Sequence, residues 1–149
     1  MGTSKIIDIA SGLCREFEGF SAKPYICPAG YATIGWGSTR YADGRLVKMG
    51  DAHITKEQAD ELLHRDLLTF YASVVQLCPG LLGRVGASAA VLDFTYNLGP
   101  ARLKASTLRR RINEGNLDAA RSELGRWIFG GGRVLPGLVR RRAAEAKLF

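Results

Sequence analysis

The sequence predicts an α+β fold, mostly helical, in which a small three-stranded antiparallel sheet lobe is joined by a long helix to a helical lobe. Three observations carry this. Apolar residues recur at spacings of three and four through most of the 149-residue chain, the period of amphipathic helices. Residues 24–50 lose that period and fill with Pro, Gly, aromatic and branched side chains. A capping-box pattern, Thr55-Lys56-Glu57-Gln58, then opens the longest periodic run. We expect a single domain over residues 1–149. Its sheet lobe lies at about 19–55 and its helical lobe at about 56–149, with an N-terminal helix, residues 4–18, packed against the latter.

In the first helix Ile6, Ile7, Ala10, Leu13, Cys14 and Phe17 form the apolar stripe, and Gly19 is the natural stop. Pro24-Tyr25-Ile26-Cys27 reads as extended, Pro28-Ala29-Gly30 as a turn, and Tyr31 to Trp36 as a second strand. Asp43-Gly44 suggests a tight turn before a third strand, Arg45 to Lys48. So small a sheet must lean on helices. From Ala59 to Leu77 the helical period runs on until Cys78-Pro79-Gly80 breaks it. Residues 81–98 are apolar nearly all round, as in a helix at the centre of a bundle. Ser106 and Asn116 each cap a short helix, the second reaching about Trp127. Gly130-Gly131-Gly132 is a flexible break, either a mobile loop or a plain connector, and Pro136 opens a last helix to Phe149.

Lys and Arg outnumber Asp and Glu by 21 to 14, a net charge of +7. Residues 1–75 carry 8 basic and 9 acidic side chains, and residues 76–149 carry 13 and 5. A cationic back half is expected to meet a polyanion, whether nucleic acid, anionic lipid or a charged cell wall. No apolar run approaches the ~18 residues of a membrane span, and Asp8 and Arg15 interrupt any signal-peptide core. Cys14, Cys27 and Cys78, odd in number and without Cys-x-x-Cys spacing, read as free thiols and not as a zinc site. His53 and His64 are given no role. No metal or cofactor is called for.

Glu18 is the most informative residue. It lies four positions after Cys14, on the buried stripe and in the last helical turn. Burial and the negative helix end both disfavour its ionised form. A carboxylic acid that keeps its proton is what a glycosidase uses to protonate a leaving oxygen. The alternative is a carboxylate paired with a back-half arginine. Cys27 and Thr33 lie six apart across a turn centred near Gly30, an even separation that puts both on one face of a hairpin, where they can flank a water molecule. Equally, a strand cysteine can be a small buried hydrophobe and a strand threonine a simple β-former.

The segment from Arg15 to Phe20, with Glu18 in it, and the run Tyr25-Ile26-Cys27-Pro28-Ala29-Gly30-Tyr31-Ala32-Thr33-Ile34-Gly35-Trp36-Gly37 resemble the signature of phage-type lysozymes, glycoside hydrolase family 24. That signature is Glu, eight residues, Asp or Cys, five residues, Thr. Asp93-Phe94-Thr95-Tyr96-Asn97-Leu98-Gly99, Ser106-Thr107-Leu108 and the stretch from Gly130 to Glu145 resemble the family's later blocks, so the likeness covers roughly residues 12–149. It implies a lysozyme-like fold and an endolysin muramidase that hydrolyses the β-1,4 bond between N-acetylmuramic acid and N-acetylglucosamine of bacterial peptidoglycan for host cell lysis.

By the same resemblance, Glu18 is the general acid, and Cys27 and Thr33 position or activate water. Cys27 either acts as base or only shapes the site. As a base it would stand ~6.5–9.5 Å from Glu18, leaving room for a water. Tyr96, Asn97 and Thr107 are the candidate substrate contacts, although Tyr96 can equally be a core aromatic. Arg140-Arg141-Arg142 is either a solvated face, or Arg141 or Arg142 turns inward to hold Glu18. Trp36 and Trp127 read as core. Members commonly carry His where this chain has Ser38, a local change.

The implied partner is peptidoglycan. The protein is expected to be a monomer made in the cytoplasm of the infected bacterium and released by a holin to the periplasm or cell wall, its basic lobe adding attraction to the anionic envelope. Competing readings are a lysozyme-like cell-wall binder without activity and a cationic membrane-active protein acting through residues 137–149. A nucleic-acid binder is more distant, because the arginines are not interleaved with aromatics.

Overall fold

The computed structural model describes residues 2–149; Met1, where the expected domain begins, lies outside the described residues. The chain opens with α1 (Gly2–Glu18), which buries Ile6, Ile7, Ala10 and Cys14 and packs mainly on α3 (Val85–Leu98). Gly19 follows with φ of +74°, a left-handed turn that turns the chain out of the helix.

Strands β1 (Ser21–Ile26) and β2 (Ala32–Gly35) pair antiparallel, with Tyr25 opposite Thr33 and Ile26 opposite Ala32. The sheet has two strands, not three. Arg45 to Lys48 contributes one bridge, Arg40 to Leu46, and a turn in which Arg45 N–H donates to Asp43 Oδ1 at 2.9 Å. The chain leaves β2 through Gly35 and Gly37, both at positive φ, which bends it off the extended path before a third strand can register. Val47 is the only buried residue of that segment. With Ile34 and with Leu62 of α2 (Lys56–Leu77), it forms the small apolar cluster that seats the sheet on the helix.

The capping box of α2 is formed: Gln58 N–H donates to Thr55 Oγ1 at 3.1 Å, and Thr55 N–H to Gln58 Oε1 at 2.8 Å. After a 3-10 turn, Pro79–Leu81, comes α3, shorter at its start than the expected 81–98 because residues 79–84 turn first. Residues 87–95 of α3 are all buried, and its three alanines let the surrounding helices approach closely. Each large aliphatic side chain buried against it stabilises the fold by about 1.5–3 kcal/mol.

Gly99 and Pro100 start α4 (Pro100–Ala105), a helix too short for periodicity to reveal. Ser106 caps α5 (Thr107–Asn113), and Asn116 caps α6 (Leu117–Leu124), which stops short of Trp127. The three glycines are not a bare connector: they turn a hairpin of β3 (Phe129–Gly130) and β4 (Arg133–Val134). The last helix, α7 (Pro136–Ala146), packs on α3 and α1 and ends three residues before the C-terminus. The fold is α+β and mostly helical.

Candidate active site

Three helices converge behind the end of α1. Cys14 and Glu18 lie one turn apart on α1, Asp93 sits on α3 with no exposed surface, and Arg141 and Arg142 turn inward from α7. Arg141 is the hub. Its Nε donates to Asp93 Oδ2 at 2.9 Å and its Nη2 to Asp93 Oδ1 at 2.7 Å, while Nη1 donates to Glu18 Oε2 at 2.6 Å. Cys14 Sγ–H donates to Asp93 Oδ1 at 3.3 Å. Burial opposes charge here, yet Asp93 is held below the usual carboxylate range by the Arg141 guanidinium. Asp93 and Glu18 in turn keep Arg141 firmly charged despite its burial. Burial pushes the Cys14 thiol far up, so it stays a neutral donor.

The adjacent arginine serves a second carboxyl. Arg142 Nη2 donates to Asn97 Oδ1 at 2.7 Å, and its Nε lies 3.0 Å from Glu145 Oε2. Burial, and then the nearby Asp93, push Glu145 well above the usual carboxylate range against the pull of Arg142. The Arg142 guanidinium also lies over the Phe94 ring at 5.1 Å. The arginine run is therefore split: Arg140 is exposed, and Arg141 and Arg142 are almost wholly buried.

Glu18 itself is part-exposed, its side chain 22 % accessible. It lines a groove of about 720 Å³ together with Asn97, Phe17, Leu138 and Arg141. On its other side it meets Tyr25, in a smaller hollow. Gly37 closes in from the sheet: a Cβ there would stand 3.5 Å from Glu18 Oε1 and 3.0 Å from the Tyr96 hydroxyl, and its φ of +110° favours glycine. One carboxyl oxygen of Glu18 is thus gripped by Arg141, and the other sits beside a residue with no side chain.

Cys27 follows β1 at the turn, half-buried, with its N–H donating to Tyr31 O at 2.9 Å. Thr33, in β2, is buried and donates its hydroxyl to Tyr31 O at 2.9 Å. The register sets Thr33 opposite Tyr25, two residues before Cys27, so the two side chains share a face. Burial is the largest single influence on the Cys27 thiol and pushes it up, but Thr33 and the backbone of Tyr31, Ala29 and Gly30 together outweigh it and hold the thiol below its usual range. Tyr25 feels both Glu18 and Cys27: burial first, then those two charges, raise its hydroxyl.

The remaining candidates divide. Asn97 lines the Glu18 groove with its Oδ1 already used by Arg142, leaving the amide N–H groups to donate. Tyr96 lines a neighbouring groove with Gly37, Arg40 and Asp66, but its hydroxyl donates to Trp36 O at 3.0 Å and its ring meets Phe70 edge-on. Thr107 lines a separate depression with Lys104 and Arg110 that contains none of the residues around Glu18. Trp36 is tied to Asp60 and Phe20, and Trp127 packs edge-on to Phe94. Ser38 donates to Asp66 Oδ2 at 2.7 Å. Sequence reasoning missed Asp93, Tyr25 and Gly37. The signal that could have found Asp93 is that it is the one charged residue of a largely apolar helix.

The sequence profile described as phage lysozyme matches residues 15–145. The chain belongs to the phage lysozyme family. It is 36 % identical over 143 residues to an endolysin of Bacillus phage B103; that match covers 92 % of this chain and 51 % of the relative, so the chain spans about half that protein's length. Among solved structures it resembles an endolysin from the Escherichia coli O157:H7 phage FAHEc1, with TM-score 0.80 and 32 % identity, covering 94 % of this chain and 89 % of the other. It also resembles the muramidase domain of SpmX from Asticaccaulis excentricus, with TM-score 0.76 and 31 % identity, covering 94 % and 93 % of the two chains. In this phage lysozyme family member Glu18 ends α1, and Cys27 and Thr33 lie on the hairpin that follows.

Proposed function

We propose that this chain is a single catalytic domain that hydrolyses the β-1,4 bond between N-acetylmuramic acid and N-acetylglucosamine in bacterial peptidoglycan. The observation that carries the reading is Glu18 at a groove wall, with one oxygen fixed by Arg141 and the other left open beside Gly37. A carboxyl held this way presents one defined oxygen to a bound glycan.

The steps follow from that placement. Protonated Glu18 gives its proton to the bridging oxygen as the C1–O bond breaks, and positive charge develops on the sugar ring. A water held at Thr33 and Cys27 attacks C1, and its proton passes to the Cys27 sulfur in its thiolate form. The Cys27 thiol, held below its usual range beside Thr33 and the Ala29–Tyr31 turn, supports Cys27 as the base over a purely space-filling role. The net change consumes one water: the Cys27 thiol gives its proton up to solvent and Glu18 takes one back, which restores both groups. Asn97 supplies amide donors for an acetamido group in the groove.

The same proposal has the protein act at the wall, where release by a holin-type partner would bring it. The exposed Arg102, Lys104 and Arg110 supply positive charge for the approach to an anionic envelope, an effect that salt weakens. Mass spectrometry of glycan fragments from purified sacculi tests the activity. Hydrolysis yields soluble strands ending in reducing N-acetylmuramic acid; sacculi that retain the protein yet release no new reducing ends would show a wall binder instead.

A further inference from the structure

We propose that Asp93 is a positioning residue for Glu18, acting through Arg141 by fixing the guanidinium and balancing its charge. This rests on Glu18 being the proton donor. The guanidinium is a flat fork. Asp93 takes the Nε–Nη2 edge with both carboxylate oxygens, at 2.9 and 2.7 Å, which aims the opposite Nη1 in the same plane at Glu18. The Asp93 carboxylate is fully buried on α3, a helix buried throughout residues 87–95, and Cys14 holds it from α1. The aim of Nη1 is therefore set by a rigid element.

Charge makes the second half of the argument. An acid catalyst has to keep its proton until the transition state, yet a bare guanidinium at 2.6 Å would hold Glu18 as a carboxylate. Asp93 supplies the compensating negative charge. The other groups acting on Glu18 are Arg142 from α7, Tyr96 from α3, Tyr25 from β1 and Cys14 from α1, with Glu145 behind Arg142. The two tyrosines and the thiol are neutral at working pH, and burial favours the protonated form of Glu145. The negative charge that faces Arg141 from behind is thus that of Asp93.

The test follows the pH–rate profile of soluble glycan-strand hydrolysis beside a carbon-13 titration of the Glu18 carboxyl, in wild type and Asp93→Asn. We expect the alkaline limb and the Glu18 titration to move together to lower pH by about one unit. We also expect kcat to fall roughly 10- to 100-fold while KM stays within about twofold. If Asp93→Asn does not fold, Asp93→Glu is measured instead: it keeps the negative charge but shifts the grip on Arg141, so the Glu18 titration should stay near the wild-type value while kcat per folded protein falls roughly 10-fold. A titration that stays in place, with activity lost only in proportion to folded protein, would reduce Asp93 to a structural ion pair and overturn the inference. Full activity in Glu18→Gln would instead overturn the underlying reading of Glu18, so the two failures are distinct.

Discussion

Glu18 Oε2 and Arg141 Nη1 stand 2.6 Å apart across 123 residues of sequence, joining the end of the first helix to the last. The carboxyl is therefore aimed by the back of the protein and not by its own helix alone. Arg141→Lys should lose more than about 100-fold in kcat, because a single ammonium cannot grip both edges of Asp93 and still reach Glu18. Steady-state kinetics on soluble glycan strands measures this, and a variant with wild-type kcat would separate Arg141 from the reaction.

Cys27 is half-buried and its thiol lies below the usual range, whereas Cys14 is buried and the Cys78 thiol is pushed up by burial to about 11. A limiting dose of iodoacetamide should modify Cys27 first, and hydrolysis should fall in step with that modification. Cys27→Ser should lower turnover by about 10-fold or more, and Cys27→Asp should retain or improve it, since a carboxylate serves as base. Full activity in Cys27→Ala would rule out an acid–base role for the thiol.

Gly37 faces two neighbours at once. A methyl group there would approach the Tyr96 hydroxyl at 3.0 Å and Glu18 Oε1 at 3.5 Å, at a φ of +110°. Gly37→Ala should destabilise the protein by about 1–3 kcal/mol through backbone strain. It should lower kcat further by crowding the open oxygen of Glu18. Thermal melts and kinetics on the same preparation separate the two effects.

Asp66 lines the groove beside Tyr96, with Ser38 as its hydrogen-bond donor at 2.7 Å. Burial raises its carboxyl above the usual value, and Ser38 and Arg65 only partly offset that. The folded state therefore binds this proton more tightly than the unfolded state does. Its contribution to stability is full below the unfolded carboxylate range and is lost as pH rises through the folded value. Asp66→Asn keeps an acceptor for Ser38 and has no charge to desolvate. Urea melts from pH 4 to pH 8 should show the variant gaining on wild type as pH rises, and a constant difference across that range would contradict this account.

Much of the fold was legible because its signals are local. Thr55 and Gln58 announce a helix start within four residues, and their cap is formed as read; Thr55→Ala should cost about 1 kcal/mol in a thermal melt and leave hydrolysis unchanged. The all-round apolar run that became α3 was equally plain. The third strand was not legible, because Gly35 and Gly37 act on backbone direction and leave the β-forming side chains of 45–48 in place. The helix after Pro100 is too short to show a period. Of the site, the spacing of Glu18, Cys27 and Thr33 is carried by one helix end and one hairpin and could be read directly. The role of Asp93 could not, since its partners lie 79 and 48 residues away on other helices. Nor could periodicity decide between a solvated Arg140-Arg141-Arg142 face and an inward Arg141 or Arg142, because that depends on where α7 docks on α3.

The most direct measurement is the release of reducing ends from purified sacculi by Glu18→Gln, with circular dichroism to verify its fold. The amide preserves the shape and the contact with Arg141 but has no acidic proton to give. Turnover should fall at least about 1,000-fold across the whole pH range. A folded Glu18→Gln protein that digests sacculi at the wild-type rate would contradict the account.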